Sequence, residues 1–441
     1  MHYHQLRNAI FPFLKGRAPG QLVIQITDRC NATCLQCGMR ATEPFKRSSL
    51  TLDQVKKIID TAAQQGIQAL SFTGGEPFLN TDFLFAAIDH AGKAGIPYIR
   101  TGTNGYFFCY HSDESRFRRN VNSIIERMAK TSLRNFWISI DSSIPDVHEN
   151  MRSLPGVING IKKALPLFHE AGIYPSANLG INRNVGGDKT YSLLEDQFKT
   201  EQDYLKAFTR IYHKAFTDFY RFVIHLGFTT VNTCYPMSLD PTHGDLSAVY
   251  AATSPQRIIN YTSHEKAALF TTLIDVIKNF RDDIRIFSPL CSLYNLSLDH
   301  LNDAKISYPC LGGVDFFFID SKSTSTYPCG YRGQDNFGEF SALKWKRKSV
   351  HAFCKQCDWE CFRDPSELFG PLFEFCKNPL VLFSNIKKDP QFYRYWYNDI
   401  LYYFKCDFFN GRKQPKNYSA SKPPVEPLSQ PAEEPQEIPV R

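Results

Sequence analysis

Over its first 290 residues the chain alternates short apolar runs of strand length with longer amphipathic stretches, and this alternation constrains the fold more than any other feature. Residues 22–27, 69–73, 97–103, 136–140, 173–181 and 228–234 read as strands. Between them lie helical patterns. One opens at Thr51, with Asp53 in its first turn and Val55, Ile58 and Ile59 at helical spacing; others cover residues 82–93, 122–130 and 157–170. Repeated strand–helix units imply a parallel sheet with right-handed crossovers. Six units predict an α/β fold, a partial (β/α)6 TIM-like barrel, in which chemistry gathers at the C-terminal ends of the strands.

The barrel is expected over residues 21–290, with a helical insertion at about 188–226. There Tyr204, Phe208, Tyr212, Phe216 and Tyr220 recur every fourth residue, as a packed helix face or as a lid over the barrel mouth. After Pro289 the pattern changes. Residues 315–319 and 323–327 read as a β-hairpin inside a small cysteine-rich α+β extension over 291–376. An aromatic helical segment follows at 377–413, where ordinary packing is the simplest reading. Residues 414–441, rich in Pro, Glu and Ser, are expected to be disordered. Residues 1–20 form a separate N-terminal segment without a signal-peptide pattern, and no apolar run is long enough to span a bilayer, so a cytoplasmic location is expected. The net charge of +7 is mild. The run Lys344-Trp345-Lys346-Arg347-Lys348 reads as a solvated face, and nucleic acid is not an expected partner.

Of the 13 cysteines, three fall within residues 30–37 and six between 310 and 376, while Cys109, Cys234 and Cys406 are scattered and read as buried thiols. Clustering in a chain of this kind points to metal rather than to disulfides. Cys30, Cys34 and Cys37 have the spacing C-x3-C-x2-C. Structural zinc prefers four ligands in pairs. Three closely spaced thiolates fit three corners of an iron–sulfur cube and leave one iron open.

The triplet, directly after the first strand, resembles the signature of the radical S-adenosylmethionine (radical SAM) superfamily. The resemblance implies a 4Fe–4S cluster on Cys30, Cys34 and Cys37, whose open iron chelates the methionine amine and carboxylate of S-adenosylmethionine. Reductive cleavage then gives a 5′-deoxyadenosyl radical that abstracts hydrogen from a substrate. Gly74-Gly75-Glu76-Pro77, closing the second strand, is similar to the family's GGEP motif, which holds the methionine amino group. Thr103-Asn104-Gly105 resembles a common third-strand ending. Ser139-Ile-Asp141, followed by His148 and Arg152, is similar to a run of peptide-modifying members in which the serine and arginine contact the methionine carboxylate; Arg152 also has a purely local pairing role open to it. Asn178 and Asn182 lie where adenine or ribose is held.

The later cysteines Cys310, Cys329, Cys354, Cys357, Cys361 and Cys376 resemble the SPASM and Twitch extensions of the superfamily, which carry auxiliary iron–sulfur clusters. The pattern departs from a full SPASM region. The run at 354–361 is C-x2-C-x3-C, one cysteine short, and Thr324 replaces a customary glycine. Six thiols do not fill two cubes unless Cys291 is recruited or an iron stays open. The Twitch reading needs Cys310, Cys329, Cys354 and Cys357 for one auxiliary 4Fe–4S cluster, with Cys361 spare or substituting for a neighbour and Cys376 spare; a zinc site is the alternative. The resemblance implies a reduced flavodoxin or ferredoxin-type electron donor and a peptide or protein substrate. A small-molecule or lipid precursor is the alternative, and a non-catalytic iron–sulfur electron carrier is the rival from another class.

Overall fold

The computed structural model describes residues 17–236, 247–343 and 354–415. The basic run at 344–348 and nearly all of the two terminal segments lie outside these residues. One nine-stranded sheet organises the protein. Six parallel strands follow in chain order: β1 (Gly20–Thr27), β2 (Ile67–Gly74), β3 (Tyr98–Thr103), β4 (Leu133–Ser139), β5 (Ser176–Gly180) and β6 (Thr230–Cys234). The intervening helices are α1 (Leu52–Gln64), α2 (Thr81–Lys93), α3 (Glu114–Ala129), α4 (Pro145–Arg152), α5 (Val157–Glu170) and α6 (Glu201–Leu226). The sheet curls without closing, and its edges are β7 (Arg285–Ile286) and β9 (Thr326–Tyr327). The partial barrel expected from the alternation is the observed architecture.

The strands alternate with period two. Leu22, Ile24, Leu70, Phe72, Ile99, Phe136, Ile138, Ala177, Leu179 and Val231 are fully buried in one hydrophobic cluster with Val55, Ile59, Leu84 and Ile161 of the surrounding helices. The intervening residues face the barrel interior and are mostly polar. Thr51 caps α1 in a capping box with Gln54, as its place before the first apolar turn predicts.

Three features differ from the sequence reading. The aromatic stripe of residues 204–220 belongs to α6, a 26-residue helix that is itself the β5–β6 crossover. Its aromatics are buried, with Phe208 stacked on Tyr212 at 4.1 Å, so this is a packed face and not a lid. The hairpin strand β8 (Phe316–Ile319) pairs parallel to β1, so the C-terminal extension continues the barrel sheet. Strand β7, which follows α7 (Ser263–Phe280), has only two residues and pairs parallel to β6, while its outer-edge Ile286 amide donates to the Tyr402 hydroxyl at 2.9 Å.

The C-terminal helices are α8 (Leu290–Asp299), α9 (Glu360–Lys377), α10 (Pro379–Lys388) and α11 (Pro390–Lys405). Asp399 of α11 ties them to the barrel, accepting from Arg281 at 2.6 Å and from the Cys291 amide at 2.8 Å. Thr324, where a glycine is customary, sits at φ +59°, a left-handed conformation that favours glycine. No helix among the described residues is long and apolar enough to cross a membrane.

Candidate active site

The cysteine loop runs from the end of β1 to Ser48 and is shaped by close approaches. A Cβ on Gly75 would stand 2.1 Å from the Arg29 carbonyl oxygen, and one on Gly38 would stand 2.4 Å from that of Ala251, so only glycine fits at either place. Arg47 gathers the descending loop, donating to the carbonyls of Asp28 (2.7 Å), Met39 (2.9 Å), Arg40 (2.6 Å) and Glu43 (3.0 Å). Sequence reasoning passed over Arg47, since nothing in its spacing distinguishes it from a surface arginine.

Cys30, Cys34 and Cys37 line one cavity of about 230 Å³ at the C-terminal mouth of the barrel. Burial raises the Cys30 thiol, pushes Cys34 up to about 12 and Cys37 up to about 11, and the thiols oppose one another's ionisation. Amides of Ala32 and Met39 point at the sulfurs of Cys30 and Cys37, at 3.5 and 3.4 Å. Three buried thiols crowded so fit a group that brings positive charge and takes them as thiolates. Among the described residues no three His, Cys, Asp or Glu side chains converge tightly enough to hold a single metal ion. In a cube each thiolate holds its own iron.

Beside them Gly74, Gly75, Glu76 and Pro77 line the same cavity. Glu76 is buried and accepts from the Phe78 amide (3.0 Å), the Thr103 hydroxyl (2.9 Å) and the Asn104 amide (2.6 Å). Those bonds use three of about four acceptor sites. Burial pushes its carboxyl up to about 7, against the lowering effect of those donors and of Arg152. Without a cation, the fold is most stable with Glu76 protonated, and that contribution is lost as the pH rises from its ordinary 4.5 through about 7. An ammonium group relieves the cost. Asn104 joins the two motifs, its Nδ2 donating to Asn31 at 2.9 Å and reaching Cys30 Sγ at 3.8 Å.

Ser139 and Arg152 also line the cavity. Arg152 is engaged in the local pair that its sequence left open, donating from Nε (2.6 Å) and Nη2 (2.9 Å) to the fully buried Asp141. Although burial opposes it, Arg152 holds the Asp141 carboxyl below its ordinary range. Asp141 also accepts from Gln36 at 2.9 Å, and its amide donates to His148 Nδ1 at 3.0 Å. Burial lowers the His148 imidazole to about 4, so it sits there neutral. This run therefore fixes the cysteine loop against β4. Asn178 lines the cavity and accepts from Asn232 at 2.6 Å, while Asn182 spends its side chain on the carbonyls of Asp141 and Gly180.

The inward strand positions complete the wall: Tyr98, Arg100 and Gly102, then Asn135, Trp137 and Ser139, then Ser176 and Asn178, then Thr230, Asn232 and Cys234. A Cβ on Gly102 would meet the Trp137 ring at 2.0 Å, so the indole fits only over a glycine. The signal for these residues was present in the sequence, as polar side chains at every second position of otherwise apolar strands. Cys234, read as a scattered buried thiol, stands in this wall.

The C-terminal cysteines divide. Cys310, Cys329, Cys354 and Cys357 line a second, small cavity of about 10 Å³, where burial and then the neighbouring cysteines raise the thiols of Cys310, Cys329 and Cys357. Cys310 and Cys354 face each other across an isolated bridge, with the Cys310 amide 3.0 Å from the Cys354 carbonyl. Amides of Gly312 and Tyr331 point at the sulfurs of Cys310 and Cys329, both at 3.4 Å. Four cysteine thiols are the donor set that a four-thiolate group would take. Trp359 borders both cavities, and Glu360 and Cys361 open into the large one. Cys376 is exposed on α9, and Cys291 is buried against α11.

Comparison with known proteins agrees with this geometry. Residues 24–192 match the Radical SAM superfamily. The GTP 3′,8-cyclase of Mannheimia succiniciproducens is 30% identical over 157 residues, 34% of this chain and 42% of the cyclase. The AdoMet-dependent heme synthase of Methanosarcina barkeri is 25% identical over 154 residues, 35% of this chain and 40% of the synthase. The chain thus spans well under half the length of these curated relatives. Among solved structures, Streptococcus suis SuiB bound to S-adenosylmethionine is similar at 14% identity, covering 84% of this chain and 72% of SuiB with a TM-score of 0.46. With three thiols, a Gly-Gly-Glu-Pro turn and polar strand faces meeting in one cavity, residues 24–192 are a radical SAM superfamily domain, of the kind that uses a 4Fe–4S cluster and S-adenosylmethionine.

Proposed function

We propose that this chain is an enzyme that cleaves S-adenosylmethionine reductively and removes hydrogen from a polar substrate held in the barrel. The observation that carries this reading is that Cys30, Cys34, Cys37, Glu76 and the polar strand faces open into one cavity. Cys30, Cys34 and Cys37 would hold the cluster, and Glu76 with the Gly74-Gly75 backbone would hold the methionine amine. When bound, the cluster and cofactor supply an electron and a 5′-deoxyadenosyl radical. The chain orients the cofactor and excludes water from it.

The lining of the cavity supports a polar substrate. Tyr98 Oη, Thr230 Oγ1 and Glu360 Oε2 are buried there without hydrogen-bond partners. Buried polar atoms of this kind are satisfied by a ligand or water. A lipid chain would leave them unpaired, so we retain a peptide or protein side chain as the substrate, as the resemblance implies, and a small polar molecule as the second reading. A flavodoxin- or ferredoxin-type protein would supply electrons.

The auxiliary group is assigned to Cys310, Cys329, Cys354 and Cys357, with Cys361 facing substrate. The test is metal analysis after anaerobic reconstitution. Wild-type protein is expected to hold about eight irons, Cys357→Ala about four, and Cys361→Ala still about eight. Equal iron loss in Cys357→Ala and Cys361→Ala would refute the division, and one zinc with about four irons in the wild type would make the second site structural zinc.

Glu76→Gln keeps the side-chain shape and removes the charge. A hydrogen bond to a charged group is worth about 1.5–3 kcal/mol, so S-adenosylmethionine binding is expected to weaken roughly tenfold or more. Because the Glu76 carboxyl is raised to about 7, wild-type affinity is expected to be several-fold weaker at about pH 6 than at about pH 7.5. The Gln variant is expected to lose that dependence, and calorimetric titration at both pH values checks it.

A further inference from the structure

The helical hairpin at the C-terminal end of the described chain carries a face that the proposed chemistry does not use. Eight of the fourteen large apolar side chains exposed among the described residues belong to residues 375–408. Helix α10 has no buried residue. Leu382 and Ile386 lean on the core formed by Phe392, Tyr402 and Phe409, which leaves Leu380 and Phe383, 77% and 59% exposed, pointing away from it. On α11, Tyr397, Leu401 and Phe404 are spaced i, i+4, i+7 and are 59%, 51% and 63% exposed, opposite the buried Phe392, Asp399 and Tyr403.

The exposed charges on this face are mainly basic. Lys377, Lys387, Lys388 and Arg394 are exposed, whereas Asp389 and Asp399 are buried, Asp407 is paired with Lys413 at 2.9 Å, and the exposed Asp282 at its edge is paired with Lys405 at 3.2 Å. A second copy would bring the same basic rim against itself, since a two-fold interface is self-complementary. Protein–protein interfaces are also depleted in lysine. Aromatic and aliphatic side chains rimmed by lysines are instead the composition of a helix lying in a headgroup region, where the basic heads meet anionic lipid.

We propose that the outward face of α10 and α11 rests on a bilayer surface bearing anionic headgroups, as a peripheral contact. This holds independently of the barrel chemistry. The test is co-sedimentation of the full chain with large vesicles of phosphatidylcholine alone and with about one-third phosphatidylglycerol. Wild-type protein is expected to bind the anionic vesicles, less so in raised salt, and to bind the neutral ones weakly. Leu380→Ser/Phe383→Ser/Phe404→Ser is expected to bind about tenfold or more weakly. Lys387→Gln/Lys388→Gln is expected to lose most of the preference for anionic lipid. Melting temperature and S-adenosylmethionine cleavage of both variants should match the wild type. No binding to anionic vesicles, or binding unchanged in the serine variant, would overturn the proposal. So would a wild-type dimer in light scattering that the serine variant abolishes, with no vesicle binding, because that outcome assigns the face to a second copy.

Discussion

Cys34→Ala is expected to abolish 5′-deoxyadenosine formation and to lower reconstituted iron from about eight to about four per chain. Cys34 is the deepest of the three thiols, 7% exposed and lodged in the core cluster, so no neighbouring side chain takes its place. Cys234 and Cys361 line the same cavity from β6 and α9, whereas Cys30, Cys34 and Cys37 share one loop, and Cys30 raises both of the other two thiols. A cube held by the remaining two thiols has two uncommitted irons and does not persist. The irons that remain belong to Cys310, Cys329, Cys354 and Cys357, and their Mössbauer signature should be that of a fully thiolate-ligated cluster. Cleavage at the wild-type rate in Cys34→Ala would remove the assignment.

Asp141→Ala is expected to cost the fold about 3–5 kcal/mol, because it leaves the Arg152 guanidinium without its carboxylate in a buried site. Asp141 also accepts from Gln36 of the cysteine loop, so its loss frees that loop from β4. The sign of the pH dependence follows from the lowered Asp141 carboxyl. The stability that the pair contributes is present above about pH 4, the ordinary range of an aspartate, and is lost as the pH falls through the lower folded value. Urea denaturation of the wild type and Asp141→Asn at about pH 7 and about pH 3.5 measures this. The difference between the two proteins should shrink at the lower pH.

The parallel order of the first six strands and the helix opened by Thr51 were legible, because each rests on a local pattern, and the motif residues expected at the strand ends line one cavity there. The polar inner wall was legible only as an alternation of side-chain types. Arg100, Asn135 and Asn232 stand among apolar neighbours that pack outward on helices, and single-strand patterns do not reveal that the other face surrounds a cavity. The division of Cys354, Cys357 and Cys361 between two cavities was also hidden. It depends on α9 beginning at Glu360, which turns Glu360 and Cys361 toward the barrel while the preceding loop faces Cys310 and Cys329. Strand β7 was missed because two residues are too short a run to carry a strand pattern. Arg152 both pairs with Asp141 and lines the cavity, so its place in the run does not by itself separate the two roles.

Cofactor cleavage by the reduced wild-type protein bears most directly on this reading of the cavity. Anaerobically reconstituted protein, with its iron content measured, is reduced with dithionite and incubated with S-adenosylmethionine, and the nucleosides are separated by chromatography. The expected result is 5′-deoxyadenosine accumulating with time, with half-saturation in Glu76→Gln at roughly tenfold higher cofactor concentration. Protein carrying a full complement of iron that binds S-adenosylmethionine and releases no 5′-deoxyadenosine would contradict it.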